Sequence, residues 1–301
     1  MNNKVRVVEV GPRDGLQNEA TLLSAEIKAE LVNRLADAGL KHIETGSFVS
    51  PKWVPQMANS DEVFRLIQRH PNVRFAALTP NLQGFEQALK AQASEIAVFA
   101  AASESFSQRN INCSISESIE RFKPIISAAK KHGLPVRGYI SCVLGCPYEG
   151  GINLNKVLEL SQLLLELGCY EISLGDTIGV GTSQQARALI QLLKQKIPIE
   201  KIAVHFHDTY GQALANVAAC LEEGVRTVDS SVAGLGGCPY AKGASGNLAS
   251  EDLVYMLHGN GFETGIQLDA LTATGQWISK LLNQPTRSKA GLALYAKQIT
   301  N

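Results

Sequence analysis

The chain has no excess of charge: 28 Lys and Arg stand against 28 Asp and Glu, a formal net charge of zero, with no basic block. That excludes general attraction to nucleic acid or to an anionic membrane surface, while a local site for an anionic ligand stays open. Long apolar runs are missing too. The longest, such as EIAVFAAA, fall far short of the ~20 residues that span a bilayer. The 6 cysteines (Cys113, Cys142, Cys146, Cys169, Cys220 and Cys238) include no CxxC pair, and read as reduced thiols of a cytosol-like compartment. MNNKVRVVEVG enters a strand-like run at once, without an apolar leader or an Arg/Ser-rich presequence, and the closing KQITN is no sorting signal. A cytoplasmic protein is expected. No Pro/Gly/Ser linker divides the 301 residues, so one catalytic domain over 1–301 is expected.

What is present is alternation. Short β-branched runs at 5–10, 42–47, 73–78, 95–101, 136–143, 171–177, 202–208 and 227–234 are separated by amphipathic helical stretches. In SAEIKAELVNRLADAG the residues Ile27, Leu31, Leu35 and Ala38 form one stripe, and Gly39 suits the position after the helix. In TSQQARALIQLLKQK, Thr182 is an N-cap candidate, and Ala186, Leu189, Ile190 and Leu193 share a face. Eight such units predict an α/β fold, a (β/α)8 TIM barrel over about 4–262, with extra C-terminal helices over about 263–301. The rival, a doubly wound open sheet, loses its dinucleotide version because no GxGxxG follows the first strand.

In such a barrel, chemistry collects at the C-terminal ends of the strands. Those positions hold Arg13, Asp14 and Gln17 after strand 1, and Glu44 and Ser47 on strand 2. Tyr139 lies on strand 5, Ser173 and Asp176 on strand 6, His205 and His207 on strand 7, and Cys238 and Asn247 after strand 8. Each has a plain structural reading. Arg13 and Glu44 suit an ion pair closing the barrel, Asp14 a turn, Asp176 a helix N-cap, and Cys238 a buried thiol. Their convergence on one rim favours chemistry instead. In VHFHDTYG the two histidines are one residue apart, so on a strand they point the same way and can grip one metal ion. Asp14 and the amide oxygen of Asn247 complete a mixed nitrogen and oxygen set without thiolate, suited to Mg²⁺ or Mn²⁺, with residue types leaning to Mn²⁺.

GPRDGLQNE, HIETGSFVSPKWVPQMA, HFHDTYGQALAN and SVAGLGGCPYAKGASGN closely resemble the 3-hydroxy-3-methylglutaryl-CoA lyase family, over essentially residues 4–300. That family lies in a superfamily of barrels marked by an Asp-Arg-Glu set and an HxH metal strand. The resemblance implies retro-Claisen cleavage of the acyl-CoA to acetyl-CoA and acetoacetate, in leucine breakdown, by a homodimer. It implies a metal on Asp14, His205, His207 and Asn247, with Arg13 on the thioester carbonyl and Glu44 orienting Arg13. Cys238 would be the proton-transfer thiol. Arg13, Gln17, Ser47, Tyr139, Ser173 and Asp176 would meet substrate, and Glu251 would support the ligands. Lys52 is among several unranked basic candidates for contact with CoA.

The nearest alternative is a Claisen-condensation synthase of the same superfamily, of the isopropylmalate or homocitrate kind. It would share the metal set, but GLGGCPYA with its thiol argues against it. A lyase for a longer-chain 3-hydroxyglutaryl-CoA would use the same rim. HxH zinc hydrolase barrels carry the motif on strand 1 rather than strand 7, and a scaffold without catalysis has no use for the polar rim.

Overall fold

A computed structural model describes residues 3–237 and 246–300, with side chains described to residue 297. Eight parallel strands close into one barrel in sequence order. They are β1 (Arg6–Glu9), β2 (His42–Ser47), β3 (Arg74–Leu78), β4 (Glu95–Ala101), β5 (Val136–Ser141), β6 (Glu171–Asp176), β7 (Ile202–Phe206) and β8 (Thr227–Ser230). β8 pairs back onto β1, with Arg6 opposite Thr227 and Glu9 opposite Ser230. Around them run α1 (Ala25–Asp37), α2 (Ser60–Leu66), α3 (Leu82–Lys90), α4 (Glu104–Ile111), α5 (Ile115–Lys131), α6 (Leu154–Leu167), α7 (Ser183–Leu193), α8 (Ala213–Glu222) and α9 (Ser250–Gly259). The expected C-terminal helices follow as α10 (Leu268–Leu281) and α11 (Lys289–Thr300). No helix among the described residues is long and apolar enough to cross a membrane.

The apolar core lies between the outer faces of the strands and the helices. Leu31 and Leu35 of α1 are buried there, as are Ala186, Leu189, Ile190 and Leu193 of α7. Thr182 caps α7, its backbone N–H and its hydroxyl both donating to Gln185 Oε1 at 2.9 and 3.1 Å. Gly39, at φ +104°, takes the left-handed turn after α1; a Cβ there would lie 2.3 Å from the Gly265 carbonyl oxygen.

The inside of the barrel is polar. Strand alternation sends Val136, Ile140, Ile172 and Leu174 outward and Arg137, Tyr139, Glu171 and Ser173 into the lumen. There Arg137 donates to Glu171 at 2.8 Å and grips Asp229 of β8 through two bonds of 2.7 and 2.9 Å. Arg6 joins the same cluster through Glu171.

The strand ends differ from the alternation pattern where the backbone turns. β5 stops at Ser141 because Cys142 adopts φ 62°, and β8 stops at Ser230, ahead of a 3₁₀ turn over Val232–Gly234 in which Ala233 has φ 57°. β7 ends at Phe206, so His207 lies just past it, held by a bridge to Asn247. After β1 the chain makes a π-turn, Gly11–Gly15. That turn packs too closely for side chains at its glycines: a Cβ on Gly15 would lie 2.7 Å from Ser231 Oγ.

Glu9 anchors the π-turn. Its Oε1 accepts the Gly11 and Val232 N–H groups at 2.8 Å each, and Oε2 accepts the Ser250 hydroxyl at 2.6 Å. Burial, opposed by these bonds, raises its pKa to about 7. The folded state therefore holds this proton more tightly than the unfolded chain. Its contribution is fully present below about 4.5 and is lost as pH rises to about 7. Glu9→Gln keeps the acceptor at Oε1, and Ser250 Oγ can reverse to accept from the new amide. We expect that variant to lose this part of the pH dependence, up to about 3 kcal/mol, in denaturant titrations between pH 5 and 8. Parallel curves for the two proteins would refute the assignment.

Candidate metal centre and active site

The rim of the barrel brings together most of the residues expected to meet there. Asp14, at the end of the π-turn, sits with His205 and His207 so that one ligand atom from each lies within 4.8 Å of the others. His205 is in β7, with Nε2 3.8 Å from Asp14 Oδ2. Asn247 reaches the same oxygen, its Nδ2 donating at 2.8 Å and also bonding the Leu235 carbonyl at 3.2 Å. In this structure the amide nitrogen faces Asp14, whereas a cation would need Oδ1. Gln17 donates to Asp14 Oδ1 at 3.1 Å.

Arg13, one residue before, is buried and held on both sides. Its Nε and Nη2 meet Glu44 Oε2 at 2.7 and 2.6 Å, and Nη1 meets Asp14 Oδ1 at 2.7 Å. A guanidinium has five N–H bonds, so two are uncommitted among the described residues. Tyr139 lies beneath, its ring 6.0 Å from the Arg13 guanidinium carbon and edge-on to His205 at 6.1 Å.

Electrostatics differ across the cluster. Burial alone would raise the pKa of Asp14, but Arg13, both histidines and the Asn247 N–H outweigh it and bring it to about 2. Burial, helped by the neighbouring His205, lowers His207 to about 4, so this imidazole is neutral near pH 7. For His205 burial is outweighed by the hydrogen bond to Asp229 and by Asp14, and the pKa rises. His207 Nδ1 is buried with no hydrogen-bond partner among the described residues. An unpartnered imidazole, a second imidazole and an ionised carboxylate within one ion's reach fit a divalent cation.

The other expected residues are placed variously. Asp176 is fully buried; Gly181 N–H donates to Oδ2 at 2.8 Å, while Oδ1 has no partner among the described residues. Burial raises its pKa to about 6. The Ser173 hydroxyl is spent on Asp229 at 2.8 Å, and the Ser47 hydroxyl reaches the Leu78 carbonyl at 3.4 Å. Glu251 bonds the Ala233 N–H, with its oxygens at 2.9 and 3.1 Å, so it braces the turn after β8 rather than a proposed ligand. Lys52 is exposed. Cys238 lies outside the described residues.

Two residues escaped the sequence reading: Asp229 and Arg137. Asp229 Oδ2 is 3.3 Å from His205 Nδ1. The signal was available, since VRGYI and TVDS each carry a charge at an inward strand position, and a buried charge requires a partner.

Comparison with known proteins bears on the arrangement as a whole. The family model described as HMGL-like matches residues 4–278. A 3-hydroxy-3-isohexenylglutaryl-CoA/hydroxy-methylglutaryl-CoA lyase of Pseudomonas aeruginosa is 59% identical over 294 residues, covering 98% of each chain. The chain belongs to the HMG-CoA lyase family. The crystal structure of a hydroxymethylglutaryl-CoA lyase from Pseudomonas aeruginosa superposes with a TM-score of 0.97 at 58% identity, covering 99% of both chains. A further family member, an HMG-CoA lyase from Acinetobacter baumannii in complex with coenzyme A and 3-methylmalate, gives a TM-score of 0.92 at 37% identity, over 97% of this chain and 95% of that one.

Truncating Glu44 leaves the buried Arg13 with Asp14 alone. We expect Glu44→Ala to cost about 3 kcal/mol in urea unfolding, and an Arg13→Met/Glu44→Leu double variant to recover most of it. Additive losses would show that the pair is not coupled.

Proposed function

We propose that the protein is a divalent-metal-dependent carbon–carbon lyase that cleaves 3-hydroxy-3-methylglutaryl-CoA to acetyl-CoA and acetoacetate. The observation carrying this reading is the convergence of Asp14, His205 and His207 beside a guanidinium with two N–H bonds to spare. The family relationship and the coenzyme A complex of the Acinetobacter baumannii relative support the substrate class.

Asp14, His205, His207 and, through Oδ1, Asn247 would hold the cation. Mg²⁺ or Mn²⁺ bound there supplies Lewis acidity, lowering the pKa of a substrate hydroxyl and orienting it. Asp14 accepts hydrogen bonds on both oxygens and would be the base that takes the proton of the substrate hydroxyl. As the C2–C3 bond breaks, negative charge moves to the thioester oxygen, where the spare Arg13 N–H bonds stabilise charge that is absent from the ground state. Glu44 keeps the guanidinium from rotating. Cys238, outside the described residues, is proposed from the sequence pattern as the donor that protonates the enolate carbon, a thiol being by nature a better proton donor near neutral pH than a hydroxyl.

Gln17 and Tyr139 are proposed to line the substrate side of the rim, with Asp176 offering its unpartnered Oδ1. Ser173 and Ser47, whose hydroxyls are engaged within the protein, would contribute shape more than hydrogen bonds. Leucine degradation is the process this activity implies; a cytoplasmic homodimer is proposed from the resemblance. A second reading, a longer branched 3-hydroxyglutaryl-CoA, is favoured by the Pseudomonas aeruginosa relative, whose name includes both substrates.

The test is acetoacetate release from a panel of 3-hydroxyglutaryl-CoA thioesters with Mg²⁺ or Mn²⁺, and again after EDTA. Metal-dependent product from the 3-methyl compound is expected; no product under any metal would end the lyase reading. Arg13→Lys keeps the charge and loses the planar fork, and should lower kcat by on the order of 10²–10³. Cys238→Ser should slow turnover while leaving acyl-CoA binding, followed by calorimetry, near that of the unmodified protein.

A further inference from the structure

His205 and His207 are not equivalent. His207 Nδ1 has no partner among the described residues, whereas His205 Nδ1 faces Asp229, the residue directly beside it in the β7–β8 register. We propose that Asp229 and Arg137 are positioning residues for the metal centre: Asp229 holds His205 as the Nδ1–H tautomer with Nε2 turned to the cation, and Arg137 holds Asp229.

The geometry is directional. The two nitrogens of the His205 ring point to different carboxylates, Nδ1 to Asp229 Oδ2 at 3.3 Å and Nε2 to Asp14 Oδ2 at 3.8 Å. Asp229 is forked by the Arg137 guanidinium at 2.7 and 2.9 Å and is therefore a carboxylate, able only to accept. The proton between Asp229 and His205 then belongs to Nδ1, which leaves the Nε2 lone pair facing the Asp14 side. This is the outer carboxylate that sets tautomer and ring angle in many metal sites.

Asp229 is not itself a catalytic residue. It is 1% exposed, and Oδ2 also accepts the Ser173 hydroxyl at 2.8 Å. A purely structural ion pair does not account for its placement either, because the Oδ2 that meets Arg137 Nη1 at 2.9 Å is also the oxygen that faces His205 Nδ1. Arg137 further fixes the other wall of the ring. Its Nη1 donates to the Tyr139 hydroxyl at 2.9 Å, and Tyr139 stands edge-on to His205.

The inference rests on the metal-centre reading, and the measurements separate the two. Mn²⁺ binding to the resting protein is followed by electron paramagnetic resonance, without substrate. The unmodified protein should bind Mn²⁺; if it binds none, the metal-centre reading and this inference both fall. In Asp229→Asn the amide must turn its NH2 towards either the guanidinium or Nδ1–H, so Mn²⁺ affinity should drop about 10- to 100-fold. Its kcat should recover in large part at saturating Mn²⁺, with circular dichroism unchanged. Unmodified Mn²⁺ affinity in a folded Asp229→Asn would overturn the positioning role while leaving the lyase reading intact. Should that variant fail to fold, the unmodified protein decides: ¹⁵N–¹H correlation of its Mg²⁺-loaded imidazoles, assigned with His205→Ala, should show His205 protonated at Nδ1. A proton on Nε2 would overturn the proposal.

Discussion

Arg137 reaches across the lumen from β5 to take both oxygens of Asp229 on β8, three strands away around the wall. Arg137, Asp229 and Glu171 are buried, and the half-buried Arg6 completes a charge-balanced cluster. An uncompensated charge in such a place would cost several kcal/mol, so the four groups have to arrive together. Once they do, the β5, β6 and β8 segments are held in one relation, and the rim above them inherits it. Tyr139, Ser173 and His205 are each one hydrogen bond from this cluster.

Above the cluster the same economy recurs. Arg13 is held by Glu44 and Asp14, Asp14 by Arg13, Gln17 and Asn247, and Asn247 by its bridge to His207. Few of these groups are free to rotate, so a ligand would find most donors and acceptors already aimed. That matters for an oxygen that becomes charged during reaction, because dipoles fixed beforehand need no reorganisation when the charge appears. The π-turn after β1 makes this possible, since it brings Arg13 and Asp14 into the rim on consecutive residues, and Glu9 beneath pins it to the turn after β8.

Much of this was legible in the residues. The eight β-branched runs matched the strands because a parallel barrel buries its strands between lumen and helices. His205 and His207 one residue apart announced a shared side, and GPRDG after the first strand announced polar groups at the mouth. Strand ends were less legible. The runs through Cys142 and Ala233 look extended, yet both residues sit at positive φ, for reasons that lie in neighbouring segments and not in their own side chains. The pairing of Arg137 with Asp229 was illegible for a similar reason: 92 residues separate them, and nothing local says which inward charge faces which.

The sequence by itself determined the alternation of elements, the side of each strand on which charge falls, and the chemical types available at the rim, because these follow from periodicities of two and 3.6 and from side-chain chemistry. Only the closed barrel decided the partners. Closure sets which lumen positions stand level with each other, and so which carboxylates meet a guanidinium and which of these also face an imidazole. Shear and register are properties of the whole sheet, and no single strand encodes them.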